Sequence, residues 1–196
     1  MKSMTASISR CSRRLSLAFA LALVFLFCGF PAAHADGISV RNARLVASDD
    51  GSYALEANFD LALNATLEEA LTKGVSLYFL LEFEVIRKRW YWVDEKVADR
   101  QQQYKLSFNA LTSQYRLGAG PLYQNFETLA EVLDLLAHVR RRQVVEPGAL
   151  KKDNTYVAAV RMRLDVSQLP KPFQLSAFGS RDWNIGSDWY RWTVTP

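Results

Sequence analysis

The feature that most constrains this fold is a row of apolar residues at every second position in two long segments. In the first segment, apolar side chains occupy every odd-numbered position: Tyr53, Leu55, Ala57, Phe59, Leu61 and Leu63. The second segment, residues 75–86, repeats the alternation, with Glu82 and Glu84 on the face opposite the apolar one. Because successive side chains of a strand point to opposite faces, both segments predict strands with one buried and one solvent-facing side.

Turn and cap residues place further elements around these strands. Asp50 and Gly51 predict a hairpin turn between residues 38–47 and 53–63. Two helices are predicted, the first capped by Thr66 and ending before Gly74, and the second over residues 127–141. Shorter strands are predicted at residues 104–109, 113–117, 155–166, 174–178 and 189–194.

The remaining segments are predicted to be connections. Residues 94–102 are polar, and residues 169–173 contain two prolines that lack the donors of a central strand. The eight or nine strands predict a mainly β fold. We expect a two-sheet antiparallel β-sandwich of immunoglobulin-like architecture with two helices inserted.

Residues 1–35 have the parts of a secretory signal peptide. Lys2 and three arginines form a positive start, residues 15–30 form an apolar core, and Ala33-His34-Ala35 supplies a cleavage pattern. We predict cleavage after Ala35 and a single β-sandwich domain over residues 36–196, in the periplasm of a Gram-negative bacterium. The alternative is an uncleaved N-terminal helix that anchors an accessory subunit, although the apolar core is just shorter than the ~17–25 residues that span a bilayer.

Removing this leader changes the charge and the cysteine content. Four of the 24 lysines and arginines lie in residues 1–35, which leaves 20 basic against 20 acidic side chains in residues 36–196. The net charge of the predicted domain is therefore zero, and its charge does not predict a nucleic-acid partner. Both cysteines, Cys11 and Cys28, are also in the leader. The domain is predicted to be cysteine-free, so it has no disulfide and no thiol nucleophile.

Four segments of the chain carry a family resemblance: EALTKGVSLYFLLEFEV, RWYWVDE, FETLAEVLDLL and LPKPFQLSAF with the later SDWYRW. Together they resemble a family of bacterial exported proteins catalogued as a domain of unknown function, number 4390. The resemblance covers nearly the whole chain after the leader. It implies a periplasmic or envelope protein, and it implies no activity and no site residues.

The predicted domain offers little catalytic chemistry. His138 is its one histidine, which leaves no second histidine for a metal site, and we predict no metal and no cofactor. Glu82 and Glu84 share a strand face at ~7 Å from the strand rise, a separation that glycosidases use. The apolar–polar alternation of this strand already explains Glu82 and Glu84 as members of a solvent-facing row. We therefore predict that the protein is not an enzyme, with a carbohydrate-active hydrolase using Glu82 and Glu84 as the alternative.

All five tryptophans fall within two short segments, RKRWYWVDEKV at residues 87–97 and WNIGSDWYRW at residues 183–192. If both segments are strands they can pair directly, since cross-strand aromatic pairs contribute ~0.2–1 kcal/mol each. The predicted binding patch comprises Arg87, Arg89, Trp90, Tyr91, Trp92, Trp189, Tyr190 and Trp192. The alternative is that these rings belong to the core or to a sheet edge.

Arg140, Arg141 and Arg142 follow one another at the end of the second predicted helix. Cations are favourable there because they oppose the helix dipole, and the alternative is contact with phospholipid headgroups or an acidic partner. We expect membrane contact only through these arginines or the leader. The sequence thus predicts a non-enzymatic binding or accessory module that recognises a protein partner or an envelope component, and no nucleic acid.

Overall fold

The structure is a computed structural model that describes residues 37–89, 91, 93–177 and 179–196. The predicted leader, Trp90, Trp92 and Phe178 lie outside the described residues. The described strands are β1 Gly37–Ala47, β2 Tyr53–Ala62, β3 Leu77–Arg87, β4 Glu95–Asn109, β5 Gln114–Ala119, β6 Leu122–Phe126, β7 His138–Val145, β8 Tyr156–Leu164 and β9 Tyr190–Val194. The described helices are α1 Ala65–Thr72, α2 Leu129–Ala137 and α3 Lys171–Ala177, with 3-10 helices at Val166–Gln168 and Arg181–Trp183.

The strands form two antiparallel sheets of unequal size. The smaller sheet has the order β1-β2-β7, and the larger has the order β6-β5-β4-β3-β8-β9. The inner faces of both sheets contribute to one buried cluster, with Leu55 and Phe59 from β2, and Phe79 and Phe83 from β3. The predicted mainly β, two-sheet antiparallel sandwich is confirmed.

The hairpin of β1 and β2 follows the predicted alternation. At its turn Asp50 Oδ1 accepts hydrogen bonds from the backbone N of Ser52 at 3.0 Å and from its Oγ at 2.6 Å. Gly51 has a φ of 78°, a left-handed conformation that glycine adopts without steric cost. Leu55 and Ala57 on the odd-numbered face are buried. The alternation therefore predicted which face of β2 meets the core.

The cap of the first helix lies two residues earlier than predicted. Asn64, not Thr66, is the N-cap, because its Oδ1 accepts from the backbone N of Leu67 at 3.0 Å. Thr66 lies inside helix α1. Asparagine and threonine both cap helices well, and the geometry of the preceding strand decides which of them occupies the cap position.

The second helix ends at Ala137, so its predicted extent to residue 141 is wrong. Thr128 caps its start, with Oγ1 accepting from the backbone N of Glu131 at 3.3 Å. From His138 the chain becomes strand β7, where Val144 and Val145 are buried. Pairing with the open edge of β2 stabilises these β-branched residues as a strand. The three arginines therefore lie on a strand and not at a helix end.

Two segments predicted as connections are regular elements. Residues 95–102, predicted as part of a polar loop, are the first half of β4 and pair with β3. Residues 171–177, predicted as extended chain and then strand, form α3. Phe173 N and Gln174 N donate to Pro170 O at 2.9 and 3.2 Å. Proline is favourable in a first helical turn, where no N–H donor is needed.

Strand β6 is an element that the sequence did not predict. Gly120, with a φ of 64°, turns the chain directly from β5 into β6. This left-handed position suits glycine, so Gly120 allows a tight turn between the two paired strands. Within the described part of the chain, no helix is both long and apolar enough to cross a membrane.

Candidate functional site

The two segments of the predicted binding patch lie on different strands of the larger sheet. Arg87 ends β3 and Arg89 follows it, whereas Tyr190 and Trp192 belong to β9. Strand β8 lies between β3 and β9, so the described parts of the two segments do not pair with each other. Trp90 and Trp92 are outside the described residues.

The basic residues beside β3 are paired with acidic residues of their own turn. Arg87 and Arg89 both form ion pairs with Glu95. Asp94 Oδ1 accepts from the backbone N of Arg89 at 3.3 Å. The hydrogen bond from Arg89, followed by that from Arg87, lowers the pKa of Glu95 below its ordinary value. This carboxylate offsets much of the positive charge that the sequence suggested for a recognition surface.

The two aromatic residues within β9 differ in burial: Trp192 is partly buried, whereas Tyr190 is 37% exposed. Tyr190 and Trp192 pair in register with Val160 and Ala158, both of which are buried. The ring of Trp192 lies 6.4 Å from that of Phe83, centroid to centroid, and is partly buried. Trp192 therefore completes the edge of the core, as the alternative interpretation of the tryptophans expected.

Trp183, which also belongs to the C-terminal tryptophan segment, is 5% exposed. Its ring centroid lies 5.7 Å from that of Phe173. This tryptophan is a core residue beneath helix α3.

On the outer face of the same strands, arginine and tryptophan side chains come together. The guanidinium carbon of Arg161 lies 4.4 Å from the ring centroid of Trp189, and that of Arg191 lies 6.0 Å from it. A cation over an indole face is attracted by the negative π surface. We call Arg161, Arg163, Trp189 and Arg191 the arginine–tryptophan platform.

A buried carboxylate lies beneath this platform. Glu82 is 7% exposed, and its Oε2 accepts from Arg161 Nε at 2.5 Å and from Arg163 Nε at 3.0 Å. The prediction that Glu82 belongs to a solvent-facing row is wrong, because the two long arginine side chains cover it. Their terminal nitrogens make no hydrogen bond to the described part of the chain, whereas each Nε is held by Glu82.

The charge of Glu82 is fixed by its two partners. Burial by itself raises the pKa of a carboxyl group, but the hydrogen bonds and charges of Arg161 and Arg163 outweigh burial and lower the pKa of Glu82. Glu82 is therefore ionised at neutral pH and holds no proton to donate. A glycosidase acid needs the opposite shift, toward a raised pKa.

Glu84, the second acid of the hydrolase alternative, has its own cationic neighbour. Its Oε2 lies 3.6 Å from Lys96 Nζ. Both carboxylates of the hydrolase alternative therefore have cationic neighbours. In the described ranges, no group of three or more His, Cys, Asp or Glu side chains is placed to hold a metal ion.

A short irregular segment brings Trp189 over Arg161. Gly186 bridges to Arg163, and a Cβ atom built on Gly186 would lie 2.9 Å from Arg163 Cβ. Ser187 N donates to Met162 O at 2.8 Å, which fixes the chain before Trp189. Glycine is required here by this close approach and not by its backbone angle.

Sequence reasoning did not select Arg161, Arg163 or Arg191 as site residues. The alternation in β8 indicated that Arg161 and Arg163 share the polar face, but only the pairing of β8 with β3 places both beside Glu82. The sequence did contain a partial signal for Arg161 and Arg163, because two arginines in an otherwise apolar strand need an acidic neighbour.

Comparisons with known proteins identify a family and nothing beyond it. The family model described as "Domain of unknown function (DUF4390)" matches residues 35–193. No curated protein and no solved structure matches the chain.

Proposed function

Because the chain belongs to the DUF4390 family, described as a domain of unknown function, we propose its role from its own site. We propose a non-enzymatic binding module that recognises an anionic partner through the arginine–tryptophan platform. The observation that carries this proposal is the buried carboxylate of Glu82, which holds two partly exposed guanidinium groups in place.

The free-energy cost of burying Glu82 under two arginines indicates that this ion-pair cluster serves recognition more than stability. Burying a carboxylate under two cations costs desolvation free energy, and apolar residues of similar volume are often as stabilising. The arrangement does, however, immobilise two arginine side chains before any partner arrives. Preorganised side chains lose less entropy on binding, so the same contacts give a higher affinity.

The charge of the platform selects the class of partner. Arg161 and Arg163 share one carboxylate, Glu82, and Arg191 lies over Trp189, so these four charged side chains carry a net charge of +2 although residues 36–196 as a whole are balanced. Arginine and tryptophan are also the residue types most enriched at binding hot spots. We propose that the partner presents carboxylates and is a protein or another component of the cell envelope.

The binding proposal is tested with two variants of the platform. Trp189→Ala removes the stacking surface, and Arg191→Glu reverses the outermost charge. Arg181→Glu is the matched control, because it makes the same charge change on an exposed residue outside the platform. We expect partners captured from an envelope fraction by the full chain to be lost with both platform variants and kept with the control. Equal recovery by all three variants would show that the platform does not bind.

We propose that the protein acts in the periplasm, and the leader-like sequence of residues 1–35 supports this location. Sequencing the N-terminus of the protein recovered from a periplasmic extract tests it. A first residue of Asp36 is expected. A retained leader together with membrane fractionation would instead favour the anchored accessory subunit.

A further inference from the structure

The unequal size of the two sheets leaves part of the larger sheet without a facing strand. Strand β7 is the last strand of the smaller sheet, and helix α2 covers only part of β5 and β6 beyond it. An open slot remains between β7, the C-terminal end of α2, and the strands β5 and β6. We call it the β6–β7 slot, and its apolar wall includes Leu117, Leu122 and Leu135.

The slot exposes apolar side chains that a protein normally covers. Leu122 is 76% exposed and Leu135 is 45% exposed. Both line the slot, and with Tyr123, which is 66% exposed on the outer face of β6, they account for three of the eight large apolar side chains that are exposed in the described ranges. A cluster of this kind at one site marks an interaction surface, whereas scattered exposed apolar residues do not.

Strand β6 also has an open backbone edge. Four strands end the two sheets in the described residues, namely β1, β6, β7 and β9. Among these, β1, β7 and β9 each contain arginine, and β1 and β7 also contain register shifts. Charged residues and bulges protect a sheet edge from pairing with other chains. The segment Leu122–Phe126 contains no charge and no proline, and its register with β5 is continuous.

Arginines border the uncharged strand on both of its faces. Arg140 and Arg142 line the slot, and none of the described residues that line it carries a carboxylate. On the outer face the guanidinium carbon of Arg116 lies 4.6 Å from the ring centroid of Tyr123, and Arg116 Nε donates to Asn125 at 3.1 Å. A strand added beside β6 would therefore have cationic neighbours on both of its faces.

We propose that the edge of β6 binds an extended acidic segment of a partner protein by β-strand addition. Backbone groups of the segment pair with β6, its apolar side chains enter the slot against Leu122 and Leu135, and a carboxylate meets Arg140. This surface is independent of the arginine–tryptophan platform, because β6 and β9 are opposite edges of the larger sheet.

The test uses the full chain and a library of fluorescent ten-residue peptides in which apolar residues and glutamate alternate. Leu122→Asp places a repelling charge at the slot, and Arg140→Glu reverses the charge that faces the carboxylate. Leu111→Asp is the matched control, because Leu111 is 96% exposed in the turn between β4 and β5. We expect both slot variants to weaken binding about tenfold or more, and the control to bind like the parent.

Two further measurements separate strand addition from simple charge attraction. Bound peptide should slow hydrogen exchange of the backbone amides in residues 122–126, and a library with lysine in place of glutamate should not bind. The proposal is overturned if no acidic peptide binds, if residues 122–126 gain no protection, or if Leu111→Asp weakens binding as much as Leu122→Asp. Self-association of the chain that Leu122→Asp abolishes would also overturn it, since the edge would then serve a second copy.

Discussion

Replacing Glu82 by glutamine tests whether this carboxylate holds the platform together. The substitution keeps the size of the side chain and removes the charge that accepts from Arg161 at 2.5 Å and Arg163 at 3.0 Å. A hydrogen bond to a charged group contributes ~1.5–3 kcal/mol, and removal of one buried partner costs more when water cannot replace it. Both arginines are partly exposed and the amide retains an acceptor, so we expect a loss of about 2 kcal/mol in the free energy of unfolding.

Urea unfolding followed by circular dichroism measures this loss, and a melting curve should show a decrease of roughly 4–8 °C for a chain of this size. Glu84→Gln is the matched control, on the same strand and face, with only a 3.6 Å contact to Lys96. Its expected loss is below ~1 kcal/mol. If both variants unfold at the same urea concentration at pH 7, Glu82 does not hold the arginines and the argument for preorganisation fails.

The same variant predicts a pH dependence of known sign. The folded state lowers the pKa of Glu82 below 4.5, so the unfolded state takes up its proton first as the pH falls. The contribution of Glu82 to stability is therefore complete above pH 4.5, and it is lost as the pH falls through the lower pKa that Glu82 has in the folded state. The difference between the parent and Glu82→Gln should narrow in this range. A difference that stays constant to pH 3 would contradict the assigned ion pairs.

Substitutions at three other positions, with one control position, test local features of the fold by urea unfolding. Gly186→Ala should lower the free energy of unfolding by ~1–3 kcal/mol, because its Cβ would lie 2.9 Å from Arg163 Cβ. Gly118→Ala is the control and should have little effect, because the nearest atom to its added Cβ is 3.7 Å away. Equal losses of stability in the two variants would refute the close approach at Gly186. Asn64→Ala should cost about 1 kcal/mol as a lost N-cap, and no loss would contradict that role. Arg141 has a φ of 42°, so the Arg141→Gly variant should be more stable than the Arg141→Val variant by ~1–2 kcal/mol. The reverse order would refute backbone strain at this position.

Local patterns in the sequence predicted the parts of the fold that depend on near neighbours. The alternation in residues 53–63 predicted the buried face of β2, and Asp50 and Gly51 predicted its turn. The apolar repeat also predicted helix α2, but not its end at Ala137. Residues 138–145 become a strand because β2 offers them a pairing edge, and no local pattern contains that information.

The site was less predictable than the fold because its residues meet only through distant pairing. Glu82 and Arg161 are 79 residues apart in the chain and become neighbours when β8 pairs with β3. Alternation alone therefore described Glu82 as a solvent-facing residue. The aromatic pattern identified Trp189 but also selected Trp192, which packs against the core. One sequence rule thus selected rings with two different roles.

The position of β3 in the middle of the larger sheet has a consequence for how the chain folds. One neighbour, β4, follows β3 directly, but the other, β8, begins only at Tyr156. Until β8 arrives, β3 has an unpaired edge and an apolar row that includes Phe79 and Phe83. Such surfaces aggregate, and closing a long loop slows their burial. A nascent chain of this protein should therefore depend on chaperones until β8 has been synthesised.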